Sequence, residues 1–369
     1  MPTESAGGVA ARSNLEMMPN AAETLHRLFD AALASQDADL YLANQGHASE
    51  LHHAVRHLCA LGFSADKPEA RRDLHRALYK LYDLQICRPS PDVTANQDSV
   101  ELLRIRKLIE AHWMKWEERR IAGLPDEIAP DQIGEAIKSL WREHSSYGHP
   151  VFDFMRDNAN RDQIVTYFTT DYALNMRFYD LIVLSLVGID EDVRMEVAGN
   201  FWDEMGQGNP TRTHVRLYRD LLDYLGVKDD PQAFVEALGW EGLAGHNLLV
   251  SFALSRRAYF RSIGALAITE LSDPDQYARL LDGCRRVGIG TDQSGVLDYY
   301  SEHVEVDALH GDGWIDNVIV PVLRRYPDQA RAVLEGAAMR LNTSKDYWDW
   351  QLATMKQMEG ASSGQPALA

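Results

Sequence analysis

Six side chains in the second half of the chain are of the types that bind first-row transition metals, and three of them stand in helical register. Asp298–Trp314 reads DYYSEHVEVDALHGDGW, with His303, Asp307 and His310 at i, i+4 and i+7. At roughly 100° per residue these three project from nearly one stripe of a helix. Two imidazoles and a carboxylate on one stripe are good donors for such a metal. Val304, Val306, Ala308 and Leu309 around them are apolar, and Tyr299 and Tyr300 lie one turn earlier. A polar triad in that setting is costly unless it is paired or liganded. A solvated helix face with two histidines has the same spacing, and the triad alone does not separate the two readings.

Ala198–Tyr218, AGNFWDEMGQGNPTRTHVRLY, places Glu204 and His214 on either side of Gly206-Gln207-Gly208-Asn209-Pro210. In a continuous helix ten residues turn about 1000° and rise about 15 Å, too far for one metal ion. The insert either breaks the helix so that His214 returns towards Glu204, or is a plain helix–turn–helix with Gly and Asn ending one helix and Pro opening the next. Glu270 lies in AYFRSIGALAITEL, with Leu266, Ala267, Ile268 and Leu271 around it. It is a buried ligand or an exposed helix end. Jointly the segments supply three carboxylates and three imidazoles, the inventory of a two-metal site in a helical bundle.

The pattern N-x-x-D-E-x-G-x-G-x5-H over Asn200–His214, then Gly264 and Glu270, then H-x3-D-x2-H over His303–His310, resembles the haem-oxygenase-like di-iron oxidases across roughly residues 150–340. The resemblance implies that Glu204, His214, Glu270, His303, Asp307 and His310 hold two ferrous ions. It also implies O2 as co-substrate, an external reductant and a small-molecule substrate. The implied reaction is N-oxygenation of an amine or amino-acid-derived compound in a biosynthetic pathway. The alternative on the same metals is oxidative C–C cleavage or desaturation of an acid or amino acid. A non-enzymatic helical interaction protein is the third reading. The resemblance further suggests that an N-terminal helical region serves homodimerisation.

Other sites are weaker. Glu50 and His53 form one Glu-x-x-His, without the second that a ferritin-type site needs. His144 and His149 could serve haem only by residue type. No G-x-S-x-G elbow occurs, and Gly206–Gly208 does not follow a strand as a nucleotide-binding turn would. Trp113, Trp116 and Trp141 suit packing better than a ligand cage. As pocket walls the sequence offers residues 247–269 with Phe168, Tyr172 and Phe178. Arg256, Arg257 or Arg261 would be the carboxylate clamp, although exposure is the default for them.

The elements that must carry these residues are helices. Apolar positions recur every three or four residues along most of the 369-residue chain, and alternating β-type runs are scarce. The expected class is therefore all-α: a haem-oxygenase-like bundle at 136–358, preceded by a helical region at 1–135 and followed by a disordered tail at 359–369. The core helices are expected near 151–158, 161–187, 190–205, 211–225, 230–238, 243–271, 274–287, 294–310, 314–325, 327–341 and 344–358. A net charge of −18 speaks against nucleic-acid and anionic-membrane partners. Three dispersed cysteines and the absence of a long apolar run point to a cytoplasmic protein.

Overall fold

Apolar residues spaced for one helix face build helices throughout, and no strand occurs among the described residues. The computed structural model describes residues 20–125 and 127–362, with the main chain alone for 273, 305–308 and 359–362. In chain order the helices are α1 Ala21–Ala34, α2 Ala38–Ala43, α3 His47–Phe63, α4 Pro68–Ile86, α5 Pro91–Thr94, α6 Val100–Arg120, α7 Ile133–Glu143, α8 Pro150–Asp157, α9 Arg161–Thr170 and α10 Tyr172–Asn175. They continue with α11 Phe178–Leu186, α12 Glu191–Glu204, α13 His214–Tyr224, α14 Pro231–Ala237, α15 Trp240–Ala253, α16 Tyr259–Arg286, α17 Asp298–Gly313, α18 Val320–Arg325 and α19 Ala330–Ser362. The described part of the tail expected at 359–369 is main chain that continues α19 to Ser362, and 363–369 lie outside the described residues.

The chain forms two compact units, Met1–Leu74 with Pro89–Trp113, and His75–Arg88 with Met114–Ala369. In the first, Leu25, Leu28 and Phe29 of α1 and Leu51, Val55 and Leu58 of α3 are buried. The Asp39 carboxylate accepts hydrogen bonds from Ser99 Oγ and from the main-chain N–H groups of Val100 and Glu101, capping the start of α6. Glu50 is tied to Arg27 at 2.7 Å and His53 is exposed, so that pair forms no metal group.

In the second unit α16 is the central helix, packed by α8, α15, α17 and α19. A Cβ on Gly336 of α19 would overlap the Arg261 carbonyl of α16, and one on Gly264 would overlap the Val333 carbonyl. The two glycines face each other's helix at one crossing and let the backbones touch. His144 bonds to Ser146 and Asn342, and His149 to Asp349, so neither sits in a haem pocket. Trp116 meets Trp240 edge-on and Trp113 is fully buried, which makes both packing residues.

Three boundaries differ from the periodicity. The stretch 161–187 is three helices, because Asn175 turns its amide to the Asp171 carboxylate and Arg177 reaches the Ile86 carbonyl and Asp83. The break expected after residue 271 falls instead at Leu254–Ala258, and α16 runs through Pro274. A proline inside a helix costs about 3 kcal/mol and withholds one N–H, here from the Glu270 carbonyl. Burial of α16 on several sides offsets that cost. The pair 327–341 and 344–358 is one helix, because Asn342 and Thr343 keep helical geometry and the Thr343 hydroxyl bonds back to the Arg340 carbonyl.

Candidate metal centre

The segment between Glu204 and His214 is both a turn and a site. Glu204 is the last residue of α12 and His214 the first of α13. Gly206 has φ +61°, and a Cβ there would lie 2.5 Å from the Arg212 carbonyl carbon, so only glycine permits this reversal. The Thr213 hydroxyl accepts from Arg216 N at 3.3 Å and caps α13. Arg212 pairs with Asp298 at 3.0 Å and with Glu302, fastening the turn to α17. The chain thus doubles back, and His214 Nδ1 stands 2.9 Å from Glu204 Oε2.

His303 enters from α17, its ring centroid 4.3 Å from that of His214. Donor atoms of Glu204, His214 and His303 lie within 4.8 Å of one another, and all three residues are buried. His303 Nδ1 is 2.5 Å from the Tyr299 carbonyl oxygen, which can only accept, so Nδ1 carries the proton and Nε2 presents its lone pair. Burial, and then the neighbouring His214, push the His303 imidazole down to about 3, keeping it neutral as a metal ligand must be. Burial pushes Glu204 up, but the nearby charge of His214, with His303 and His310 behind, outweighs it and holds the carboxyl below its ordinary value. His214 shifts the opposite way: burial lowers it, and Glu204 more than restores it.

A second group lies beside the first. A Cβ on Gly311 of α17 would be 2.9 Å from Leu271 Cα, a close approach that sets His310 against Glu270 of α16. His310 Nδ1 is 3.5 Å from Glu270 Oε2, while His310 Nε2 meets Asp203 Oδ2 at 2.9 Å. Asn200 Nδ2 donates to Glu270 Oε1 at 2.9 Å. Both Glu270 and His310 are buried. The side chain of Asp307 lies outside the described residues. Asp203 and Asn200 therefore orient the second group, although sequence reading gave neither a role. The signal was there, in their place within the N-x-x-D-E pattern. Because the Asp203 carboxylate fixes which His310 nitrogen is protonated, Asp203→Asn is expected to weaken ferrous binding about 10–100-fold with the helix content unchanged. Anaerobic ferrous titration checks this, and an unaltered affinity would remove Asp203 from the account.

Glu270 and His303 also line a pocket that opens to solvent. Its other walls include Asp171, Phe178, His246, Gln276, Arg340 and Tyr347. Of the expected walls Phe178 and, from 247–269, Thr269 are present, whereas Phe168 packs on Tyr300 and Tyr172 on Phe234. The expected clamp residues do not line this cavity: Arg261 is held by Glu335 and Glu118, and Arg256 lies against Gly188. The arginine that does is Arg340.

Burial pushes the Asp171 carboxyl up to about 6 from an ordinary 3.8, partly relieved by Asn175, Arg340 and the phenols of Tyr347 and Tyr300. With the folded value raised, its contribution to stability is complete below about pH 4 and lost as the pH rises through 6. Asp171→Asn should thus exceed the wild type in stability by on the order of 2–3 kcal/mol at pH 8, with the gap closing at pH 4. Urea unfolding at the two pH values measures it.

Residues 165–345 match the model of a family described as iron-containing redox enzyme. Over that stretch the chain matches this family and shares its haem-oxygenase-like helical fold, and the family is one of oxidoreductases. A stretch of 134 residues is 26% identical to the nitrosourea synthase of Streptomyces achromogenes subsp. streptozoticus, covering 34% of this chain and 26% of that relative. The residues present fit iron. Buried imidazoles and carboxylates converge there, and the His214 Nδ1 lone atom, buried beside Glu204, has no well-directed hydrogen bond in the protein.

Proposed function

We propose that the chain is a non-haem di-iron, O2-dependent oxygenase that oxidises the nitrogen of an amine or amino-acid-derived substrate. The observation that carries this reading is the buried Glu204–His214–His303 group, with Glu270 and His310 beside it, opening through Glu270 and His303 onto the cavity. Glu204, His214 and His303 would hold one ion, and Glu270 and His310 the other, with Asp307 completing the set by its place in the sequence. Bound ferrous iron would supply the electrons that activate O2, and an external reductant would restore it.

The chain's own residues do the rest. Three carboxylates offset most of the charge of two divalent ions. Asp203 and the Tyr299 carbonyl hold the protons on the far nitrogens of His310 and His303. The aromatic walls limit water around the substrate. Nitrogen is favoured as the atom oxidised because the relative is named for making a nitrosourea.

The test supplies iron, O2 and a chemical reductant with a panel of primary amines, guanidines and free amino acids, and follows product masses. Gain of oxygen on nitrogen is expected. Conversion of none of them would overturn the reading, and a volatile alkene or aldehyde in the headspace would replace it with C–C cleavage.

A further inference from the structure

A run of aromatic rings leads away from the metal centre. Tyr299 lies 4.4 Å from His303 and 5.9 Å from His214, measured between ring centroids. Tyr218 of α13 follows, edge-on and 4.9 Å from Tyr299, and then Tyr172 of α10, 6.4 Å from Tyr218. All three rings are buried. The Tyr218 hydroxyl donates to the Phe168 carbonyl, an oxygen too weakly basic to take a proton. The Tyr172 hydroxyl instead donates to Asp229 Oδ1 at 2.8 Å. Burial, and then Asp229, hold that phenol above its ordinary value, so at rest it keeps its proton. The Asp229 side chain is 43% exposed, with Arg219 3.6 Å from its other oxygen. The run thus begins against two proposed iron ligands and ends on a carboxylate in contact with water.

A phenol that loses an electron becomes a strong acid, so its oxidation is easiest where a base within hydrogen-bond reach can take the proton. Rings in near contact pass electrons without moving atoms. We infer that Tyr299, Tyr218 and Tyr172 form a relay that drains one-electron oxidising equivalents from the metal centre towards the surface, with Tyr172 as its terminal site. Tyr172 gives up one electron, which passes through Tyr218 and Tyr299 to the one-electron oxidant that iron and O2 generate at the centre. It gives its phenolic proton to the Asp229 carboxylate. A neutral tyrosyl radical then stands beside a carboxylic acid, and the oxidant is reduced by one electron. The external reductant returns the electron at the exposed end, and Asp229 returns the proton. The relay lies beyond the proposed function and rests on its iron and O2 chemistry. It spares the buried ligands from oxidation when no substrate is in the pocket.

The test is spectroscopic. The chain is loaded with ferrous iron under nitrogen, mixed with O2 in the absence of organic substrate, frozen at intervals and read by electron paramagnetic resonance. A tyrosyl radical is expected, with a signal that narrows when the protein carries ring-deuterated tyrosine. Tyr172→Phe, which keeps the ring, should lose that signal. Asp229→Asn, an exposed change that keeps a hydrogen-bond acceptor, should lose most of it, and Asp229→Glu should regain part. Iron uptake and O2 consumption should match the wild type in all three variants. Without its outlet, Tyr172→Phe should also gain oxygen on the peptide carrying Tyr299 and His303 over repeated cycles, a mass change absent from the wild type. A wild type that takes up iron and consumes O2 with no tyrosyl radical would overturn the relay and leave the proposed function standing. So would a Tyr172→Phe signal equal to that of the wild type. A wild type that takes up no iron, or consumes no O2, would overturn both. A radical at Tyr172 with no amine oxidised would leave the relay standing and sink the proposed substrate class alone.

Discussion

His303→Ala is expected to lower O2-dependent turnover by on the order of a hundredfold or more and to reduce iron bound per chain. His303 is neutral, buried and shared between the Glu204–His214 group and the cavity wall. Its ring also spaces His214 from Tyr299, at 4.3 and 4.4 Å between centroids. Removing the imidazole deletes one donor and leaves the Glu204–His214 pair, already 2.9 Å apart, to compete with metal. Losing an outer partner of a metal ligand already costs about 10–100-fold, and losing the ligand itself should cost no less. Helix content should stay the same. Full turnover with normal iron content in the alanine variant would show that His303 is a core histidine only.

The second large effect is on stability. Gly336→Val should destabilise the chain by about 3 kcal/mol or more and lower its iron content with it. Overpacking ordinarily costs about 1–3 kcal/mol, because side chains can give way. Here the obstacle is main chain: the new Cβ would overlap the Arg261 carbonyl of α16, and that helix also carries Glu270. Relief requires α16 and α19 to separate, which would disturb Thr269 and Arg340 as well. Gly199 is the control. It lies in α12 with open space around a built Cβ, so Gly199→Ala should be neutral or stabilise by up to about 1 kcal/mol. Urea unfolding compares the two variants, and equal midpoints would contradict the crossing.

What the sequence made legible follows from the range over which each signal acts. The all-helical class could be read because apolar periodicity is local and repeats over hundreds of residues. His303 and His310 could be paired because helical register is local too. The Glu204–His214 contact could not be decided from spacing, since the outcome depends on how a nine-residue connection folds. Gly206 with its positive φ, and Arg212 reaching Asp298 and Glu302, settle it. The helix through Pro274 ran against local rules because its support is tertiary. Arg340 was invisible for the same reason: nothing near it in sequence marks it, and its partners Thr269 and Gly245 lie 71 and 95 residues away.

Anaerobic ferrous titration of the wild type, His303→Ala and His310→Ala is the most direct test of the metal centre. Two ferrous ions per chain are expected in the wild type and fewer in each variant, with a transient visible absorbance on mixing with O2 that the variants weaken. No iron uptake by the wild type, or the same uptake in all three proteins, would contradict it.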